Sequence, residues 1–504
     1  MSEGNSYRQI LRSSSIMGGS QAINYLVGLV RVKAVALLLG PAGVGIVGLY
    51  TSAMNTASEV TGLGLQRSAV RTIAVAQGQG DDIAVARAIR MLRRLCWLTG
   101  ILGWLACAAF AVPLSRVMFQ STEDAWALAV LGATVLLNAI NGGQLALLRG
   151  LRRIGDIARV QVASAMANTV VIIALYAWLR ERGIVPVLLA SAAISLGMSW
   201  WFVRRVRVAE ISMSWRQAVS EARPMVSLGI ALMLSSALAT LLEFYTRTLL
   251  SRGQGLEAVG IYQAAWSLSG MFAGFVLKAM GMDFLPRLAA IIEDRDAAAR
   301  EINQQTEVGI LLSLPGLLGT LVFAKWVVWL LYSAKFAAAA DVLAWMILGV
   351  FGRVVSWPLG YIQVAMNAKR WYLATELFFI AFQAALVAWW VPRYGAAGAA
   401  YAFFACFVVY FAVMVLVARH LLGFRHSRPA ARLIALSTLL LAAAMLAGRW
   451  LGELPALVFG ALLTFASGFW CLRELAQRVG YGHRLIRLAL RVPGVARLLG
   501  FRND

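Results

Sequence analysis

The sequence predicts an all-α polytopic membrane protein of about fourteen transmembrane helices, and three observations carry that prediction. Of 504 residues, 61% are hydrophobic and 14% charged, with a mean hydropathy of +0.74, whereas about a quarter of the residues of a soluble domain are charged. The apolar residues gather into stretches near the roughly 20 that a helix needs to cross about 30 Å of hydrocarbon. The charges that interrupt these stretches are mostly Arg or Lys, 46 against 23 acids. All the spans must be helical, because a loose backbone or an open sheet edge in lipid leaves amides unsatisfied.

In order, the spans fall near 16–39, 43–63, 95–112, 125–148, 157–179, 184–203, 225–250 and 258–281, then 306–331, 340–366, 371–391, 396–418, 430–449 and 455–472. The segment ahead of Ile16 is polar and no small-residue cleavage site follows, so no removable signal peptide is expected. Placing the N-terminus in the cytoplasm puts 33 of the 46 basic residues on inward segments, among them Arg67, Arg71, Arg87, Arg90, Arg93 and Arg94 before span three. Outward loops hold Arg116, Arg180, Arg182, Arg252, Lys335, Arg393 and Arg449. Every loop is short enough for the positive-inside rule, so both termini are expected inside. The net charge of +23 is therefore mostly topology and no nucleic-acid footprint, since there is no soluble domain to carry one.

Cys96, Cys107, Cys406 and Cys471 lie in or beside spans without close pairing, which predicts free thiols. His420, His426 and His483 are too scattered for a zinc site, and no cofactor is expected.

The chain repeats itself. RVKAVALLLGPAGVGIVGLY at 31–50 echoes RTLLSRGQGLEAVGIY at 247–262, placing Arg31 against Arg247 and Gly45-Ile46 against Gly260-Ile261. LLRGLRRIGDIA at 147–158 echoes VAMNAKRWYLAT at 364–375, at nearly the same spacing. Both copies start on the same side, so they read as parallel repeats of six spans, an arrangement in which transporters place substrate between the halves. The expected division is an N-terminal lobe over 1–215, a C-terminal lobe over 216–425, and spans thirteen and fourteen with a basic cytoplasmic tail over 426–504.

The run LLGPAGVGIVGLY at 38–50, followed by GLGLQRSAVRTIAVAQG at 62–78, resembles the start of the Wzx-type oligosaccharide flippases. These share a superfamily with the MATE drug exporters and the lipid II flippase MurJ, and the twelve-span plan extends the likeness to about residue 425. Many Wzx proteins have twelve spans, whereas fourteen is the MurJ-like number. The resemblance implies a V-shaped cavity between two six-helix lobes, alternating access, and an undecaprenyl-pyrophosphate-linked glycan as cargo in the bacterial inner membrane. It is also compatible with work beside polysaccharide polymerase and chain-length machinery.

The charged residues inside the spans support such a cargo. Arg31 and Lys33 in span one, Arg247 in span seven, Lys278 late in span eight and Arg353 in span ten form a candidate cationic lining. A cation at a helix centre costs about 2.5–3.5 kcal/mol on the insertion scale, so these residues need a polar cavity or acids to pair with. Guanidinium groups suit a diphosphate because their planar donors bind its oxygens bidentately. Some of the five are instead expected to snorkel or to hold helices together, Lys278 first among them. The acids are Glu59, Glu243 and Glu376, with Asp283 just past span eight. Glu243 and Arg247 share a helical face and are placed to neutralise each other. Glu59 has no base three or four positions away, so it is either partnered from another helix or protonated. The resemblance implies proton coupling as the role of an acid in span two.

Three other features have plainer readings. Asp294-Arg-Asp296 matches an acid-x-acid pattern of glycosyltransferases but lies in a short loop without a nucleotide-binding domain, so a solvated loop is favoured. Arg484, Arg487 and Arg491 line one face of a basic tail helix suited to membrane lipids or simply to solvent. Gly270 and Gly274 permit close helix contact. The leading reading is a flippase and no enzyme. A MATE-like exporter of cations would favour acids in its cavity. An O-antigen polymerase or glycosyltransferase would need a substantial outward loop for catalytic groups, while every outward loop expected here is short.

Overall fold

The computed structural model describes residues 3–206, 208–209 and 211–479, with side chains from residue 19 onward except 231–232, 272–273, 275–276, 278–283 and 479. The helices in chain order are α1 (Glu3–Thr61), α2 (Leu65–Gly78), α3 (Asp82–Ala109), α4 (Ala111–Phe119), α5 (Ala125–Gly150), α6 (Ile154–Leu179), α7 (Ile184–Val203) and α8 (Trp215–Glu221). There follow α9 (Arg223–Ile291), α10 (Arg295–Val322), α11 (Ala324–Leu331), α12 (Ala339–Ala365), α13 (Lys369–Leu422), α14 (Arg428–Trp450) and α15 (Glu453–Val479). No strand occurs among the described residues. Nine helical segments there are long and apolar enough to cross a membrane, or ten if the bent α9 pair counts as one.

Three of those segments run 43, 50 and 54 residues. At about 1.5 Å per residue each is two or more times the thickness of the hydrocarbon. Each of them, and α9 likewise, is interrupted by one residue with a backbone that no helix interior holds. Gly40 breaks α1 at φ 66°, ψ −174°, Gly255 breaks α9 at φ 82°, ψ 179°, and Gly395 breaks α13 at φ 57°, ψ −133°. Glycine suits these breaks because it alone enters that region without a Cβ clash. Between α6 and α7 the same task falls to Arg180, at φ 52°, ψ −131°.

These breaks recur in register. Gly255 follows Gly40 at the same interval at which Gly395 follows Arg180 and Asn367 (φ 53°) follows Arg152 (φ 54°). The two 28-residue helices α3 and α10 start on matching caps, Asp81 accepting from the Ala84 amide and Asp294 from the Asp296 and Ala297 amides. Each such cap is worth about 1 kcal/mol. Asp294 is thus a helix cap, which gives half of the acid-x-acid motif a structural role. The register also corrects the sequence alignment by one residue. Arg31 stands nine residues before Gly40 and Arg247 eight before Gly255, so the two arginines point about 100° apart around their helices.

The helices form two compact units, residues up to 263 with 330–335, and 264–329 with 336 onward. Compactness is a different criterion from duplication, so the lobe boundaries at 215 and 425 remain a proposal. In the first unit α3, α5 and α7 pack together with α2 and α8 around Leu65, Ile73, Ile89, Leu92 and Leu147. The second half of α1 runs antiparallel to the first half of α9, with the Thr56 hydroxyl donating to the Thr240 carbonyl at 3.1 Å. Just after its own break, α1 meets the stretch of α9 that follows Gly255. An added Cβ at Gly45 would sit 2.0 Å from the Leu256 carbonyl oxygen, and one at Gly260 would sit 1.9 Å from that of Pro41. Gly270 and Gly274, which permit close helix contact, have no described heavy atom within 4 Å of an added Cβ.

In the second unit α10, α12 and α13 enclose Ile302, Leu359, Ile362 and Met414, with Phe284 and Phe424 against them. The helices α14 and α15 are fastened to this unit by polar contacts. Arg478 at the end of α15 pairs with Glu307 of α10 at 3.1 Å and with Glu474 at 2.9 Å. The Ser427 hydroxyl donates to Glu307 at 3.3 Å, and the Ser427 amide donates to Asn303 at 2.9 Å. Cys96, Cys107, Cys406 and Cys471 are all buried free thiols.

Candidate functional site

Of the residues singled out from the sequence, Arg31, Lys33, Glu59, Glu243 and Arg247 lie in the first unit and Arg353 and Glu376 in the second. The side chains of Lys278 and Asp283, and the basic tail at Arg484, Arg487 and Arg491, lie outside the described residues.

Arg247 is the most enclosed of these charges, at 4% exposure. Its Nε donates to Gln263 Oε1 at 2.9 Å, and its Nη1 donates to both the Glu243 carbonyl and Glu243 Oε2 at 3.2 Å. Tyr262 stacks against it with 5.7 Å from Cζ to the ring centroid. Gln263 reaches Arg247 only because the chain turns at Gly255 between them. A buried guanidinium with three such bonds has its desolvation compensated from within the protein. The structure therefore makes Arg247 and Glu243 an internal pair.

Arg31 is different. It lies in α1, nine residues or about 14 Å before the Gly40 break, which is close to half the hydrocarbon thickness. It is half-buried, and it has neither an ion pair nor a hydrogen bond among the described residues. Lys33 is half-buried two residues on, with an interaction of its own. Ser20, Asn24 and Arg31 recur at helical spacing on one face of α1, with Gly28 between them. Beside them Gln21 donates to Gln161 Oε1 of α6 at 3.3 Å. Buried oxygens of Asn24, Asn141, Ser164 and Asn168 have no partner among the described residues. Unsatisfied amide and hydroxyl oxygens in a membrane interior mark a surface that water or a polar ligand completes.

Glu59 is not an isolated carboxyl. Its Oε1 pairs with Arg67 Nη2 at 3.2 Å and accepts from the Ser236 hydroxyl, which in turn accepts from Arg67 Nη1 at 2.9 Å. Three elements, α1, α2 and α9, thus meet at one triangle of polar groups. The partner comes from beyond the turn at Leu63 and Gly64, both with positive φ, where helical spacing could not reveal it. In the second unit Arg353 is exposed and Glu376 half-buried, each has a partner interaction, and both act electrostatically on the Tyr410 hydroxyl.

The family described as polysaccharide biosynthesis protein matches residues 10–292, more than half of the chain. The chain belongs to that family. The lipid III flippase of Escherichia coli (strain K12) is 24% identical over 416 residues, covering 80% of this chain and 97% of that protein, and the lipid III flippase of Shigella flexneri matches equally. Among solved structures, the lipid II flippase MurJ in an inward closed conformation gives a TM-score of 0.68 at 11% identity, covering 93% of this chain and 99% of that one. A multidrug resistance MATE family transporter of the MOP superfamily, inward-facing, gives 0.62 at 16% identity, covering 80% of this chain and 94% of that one. The fold of this polysaccharide biosynthesis protein is therefore the MATE and MurJ fold, a multi-pass helical membrane fold of transporters.

For this member of the polysaccharide biosynthesis family, the sequence reading found the charges and missed the amides. Gln21, Asn24, Gln161 and Asn168 were legible as polar residues inside apolar spans, but an uncharged amide barely lowers a hydropathy window. For Asn24 the signal is positional, the α1 face it shares with Arg31.

Proposed function

We propose that this protein flips an undecaprenyl-pyrophosphate-linked oligosaccharide, an O-antigen or exopolysaccharide repeat unit, from the cytoplasmic to the periplasmic leaflet of the bacterial inner membrane by alternating access. The observation that carries this reading is Arg31, a guanidinium near mid-span without an ion-pair or hydrogen-bond partner among the described residues, on the α1 face that also carries Ser20 and the unpartnered Asn24 oxygen. Such a group gains most from a diphosphate, which its fork binds bidentately. The family match and the likeness to two flippases support the cargo class. Fourteen crossings with both ends inside complete the reading: four breaks, at Gly40, Arg180, Gly255 and Gly395, divide overlong helical segments into pairs. A cation exporter fits less well, because Glu59 and Glu243 are each engaged by an arginine.

Proton coupling at Glu59 takes a specific form here. Protonating Glu59 removes its attraction for Arg67 and weakens its hold on the Ser236 hydroxyl, which loosens α1 from α2 and from α9. An ion drives such a change only by binding two states with different affinity. Glu59→Gln is therefore expected to abolish the dependence of transport on the proton gradient, and a variant with unchanged dependence would remove Glu59 from the coupling.

The test of function is the leaflet distribution of lipid-linked glycan in a deletion strain. Wild-type protein should restore periplasmic glycan, Arg31→Ala should leave it on the cytoplasmic face at normal protein level, and Arg31→Lys should restore it only in part. Full export by Arg31→Ala would overturn the assignment.

A further inference from the structure

A cavity of about 900 Å³ opens in the first unit between α3, α5, α7 and the residues Val206, Val208, Ala209 and Ile211, apart from every residue assigned above to cargo or coupling. Its walls are apolar, built from Leu92, Leu136, Ile140, Leu147, Leu196 and Val203. Its charged members are Arg90, Arg93 and Arg204, with no carboxylate among the described lining residues. Arg90 and Arg93 stand three apart on α3, repel one another, and have no hydrogen bond or ion pair among the described residues. Like charges at that spacing weaken a helix unless an anion sits between them. Arg204 rests 3.9 Å over the Trp201 ring, which holds its guanidinium in place without neutralising it. Trp97 and Trp200 also line the cavity and are 48% and 54% exposed. Tryptophan is enriched at the boundary between hydrocarbon and headgroups.

An inorganic phosphate would satisfy the arginines and leave the apolar walls uncovered. The cavity is roughly thirty times the ~30 Å³ share of one water, and it lies within the range of about 300–1,000 Å³ that bound organic ligands fill. Three arginines at the end of an apolar fissure between transmembrane helices match one chemistry, an anionic headgroup with a hydrocarbon chain. We propose that this cavity is a resident site for an anionic phospholipid, with the phosphodiester on Arg90, Arg93 and Arg204 and an acyl chain along the α5 and α7 walls. The bound lipid neutralises the repulsion on α3 and fills the space between α3, α5 and α7.

Native mass spectrometry of the full-length protein, with phosphatidylglycerol and phosphatidylethanolamine supplied in equal amounts, tests the proposal. The wild type should retain phosphatidylglycerol in preference. The triple variant Arg90→Gln, Arg93→Gln, Arg204→Gln should retain it about tenfold less or lower still. Gly197→Phe keeps all three arginines and fills the cavity, and an added Cβ there meets no heavy atom within 4 Å, so its fold should be intact. It should lose the lipid equally, with an unchanged elution profile. Undiminished retention in either variant would overturn the site, the first by excluding the arginines and the second by excluding the cavity. Displacement of the lipid by millimolar inorganic phosphate would overturn the need for a chain. Displacement by undecaprenyl pyrophosphate in the wild type would overturn the phospholipid as occupant and give the cavity to the carrier lipid instead.

Discussion

The two repeats of this protein agree in their turns and differ in what their helices carry. Breaks at Gly40, Arg152 and Arg180 in the first repeat return at Gly255, Asn367 and Gly395 in the second, all at one constant offset along the chain. Counting from those breaks, Asn138 corresponds to Arg353 and Gln161 to Glu376. One repeat thus holds two neutral amides where the other holds a cation and an anion. The difference teaches that a shared hinge geometry fixes where polar groups stand and leaves their charge free to diverge.

The hinges should be the easiest place to break this comparison. Gly45 and Gly260 each allow a backbone carbonyl to approach where a side chain would stand, at 2.0 and 1.9 Å from an added Cβ. Valine at either position forces the helices apart, at a cost of about 3 kcal/mol or more by overpacking. Both variants should fail to give a monodisperse peak in size-exclusion chromatography, whereas Gly28→Ala, with open space around it, should behave as wild type. A well-folded valine variant at one position alone would show that the two halves do not depend equally on the contact.

Next in size is the contrast between the two arginines. Arg247→Ala strands Glu243, and because Glu243 is 39% exposed the loss is about 1–3 kcal/mol, below the cost for a fully buried pair. Its thermal unfolding midpoint should fall, and adding Glu243→Ala should restore most of it. Arg31→Ala should leave the midpoint unchanged while transport fails. A fall in stability for Arg31→Ala would show a structural partner.

A third comparison exchanges the divergent pair. The double variant Arg353→Asn, Glu376→Gln gives the second repeat the amide character of the first, and it should fold normally while export drops by about tenfold, roughly the effect of one lost charge-assisted contact of about 1.4 kcal/mol. Unchanged export would mean that the charges are structural.

The smallest effect concerns pH. His426, in the turn between α13 and α14, lies between Phe411 and Phe424 with both ring nitrogens buried and unpartnered among the described residues. Burial, and then the charge of Arg419, push its pKa below the ordinary 6.5. As the pH falls through 6.5 the unfolded chain takes up a proton that the folded one refuses, so stability contributed by neutral His426 is full above that pH and declines below it. His426→Phe should flatten the decline in melting temperature between neutral and mildly acid pH, and an identical slope would exclude this residue.

Hydropathy made the helical class legible, matched residue strings the repeat, and the placement of Arg and Lys the basic segments, because each rests on many residues taken together. What escaped was set by single residues. Gly40, Gly255 and Gly395 each join two spans with one unusual pair of dihedral angles, which no average over a whole span can register. The partners of Glu59 and Arg247 lie across such breaks, at Arg67 and Gln263, where i,i+4 reasoning has no reach. Within the candidate site, Arg31 was found because charge in a span is rare, and Asn24 on the same face was not, because Asn and Gln are ordinary there.

The pair between Glu307 and Arg478 imposes an order on synthesis. The carboxylate of α10 emerges from the ribosome long before the guanidinium that faces it, which belongs to α15, the last of the described helices. At about 5–20 residues per second, the interval between the two is roughly 10–30 s. Throughout the first part of it Asn303 and Glu307 also lack the Ser427 contacts that the completed turn supplies. A ribosome that stalls within α15 therefore leaves Glu307 of α10 with an open charge, and quality-control proteases meet a unit whose earlier described helices are all in place but whose α10–α15 pair is unmade.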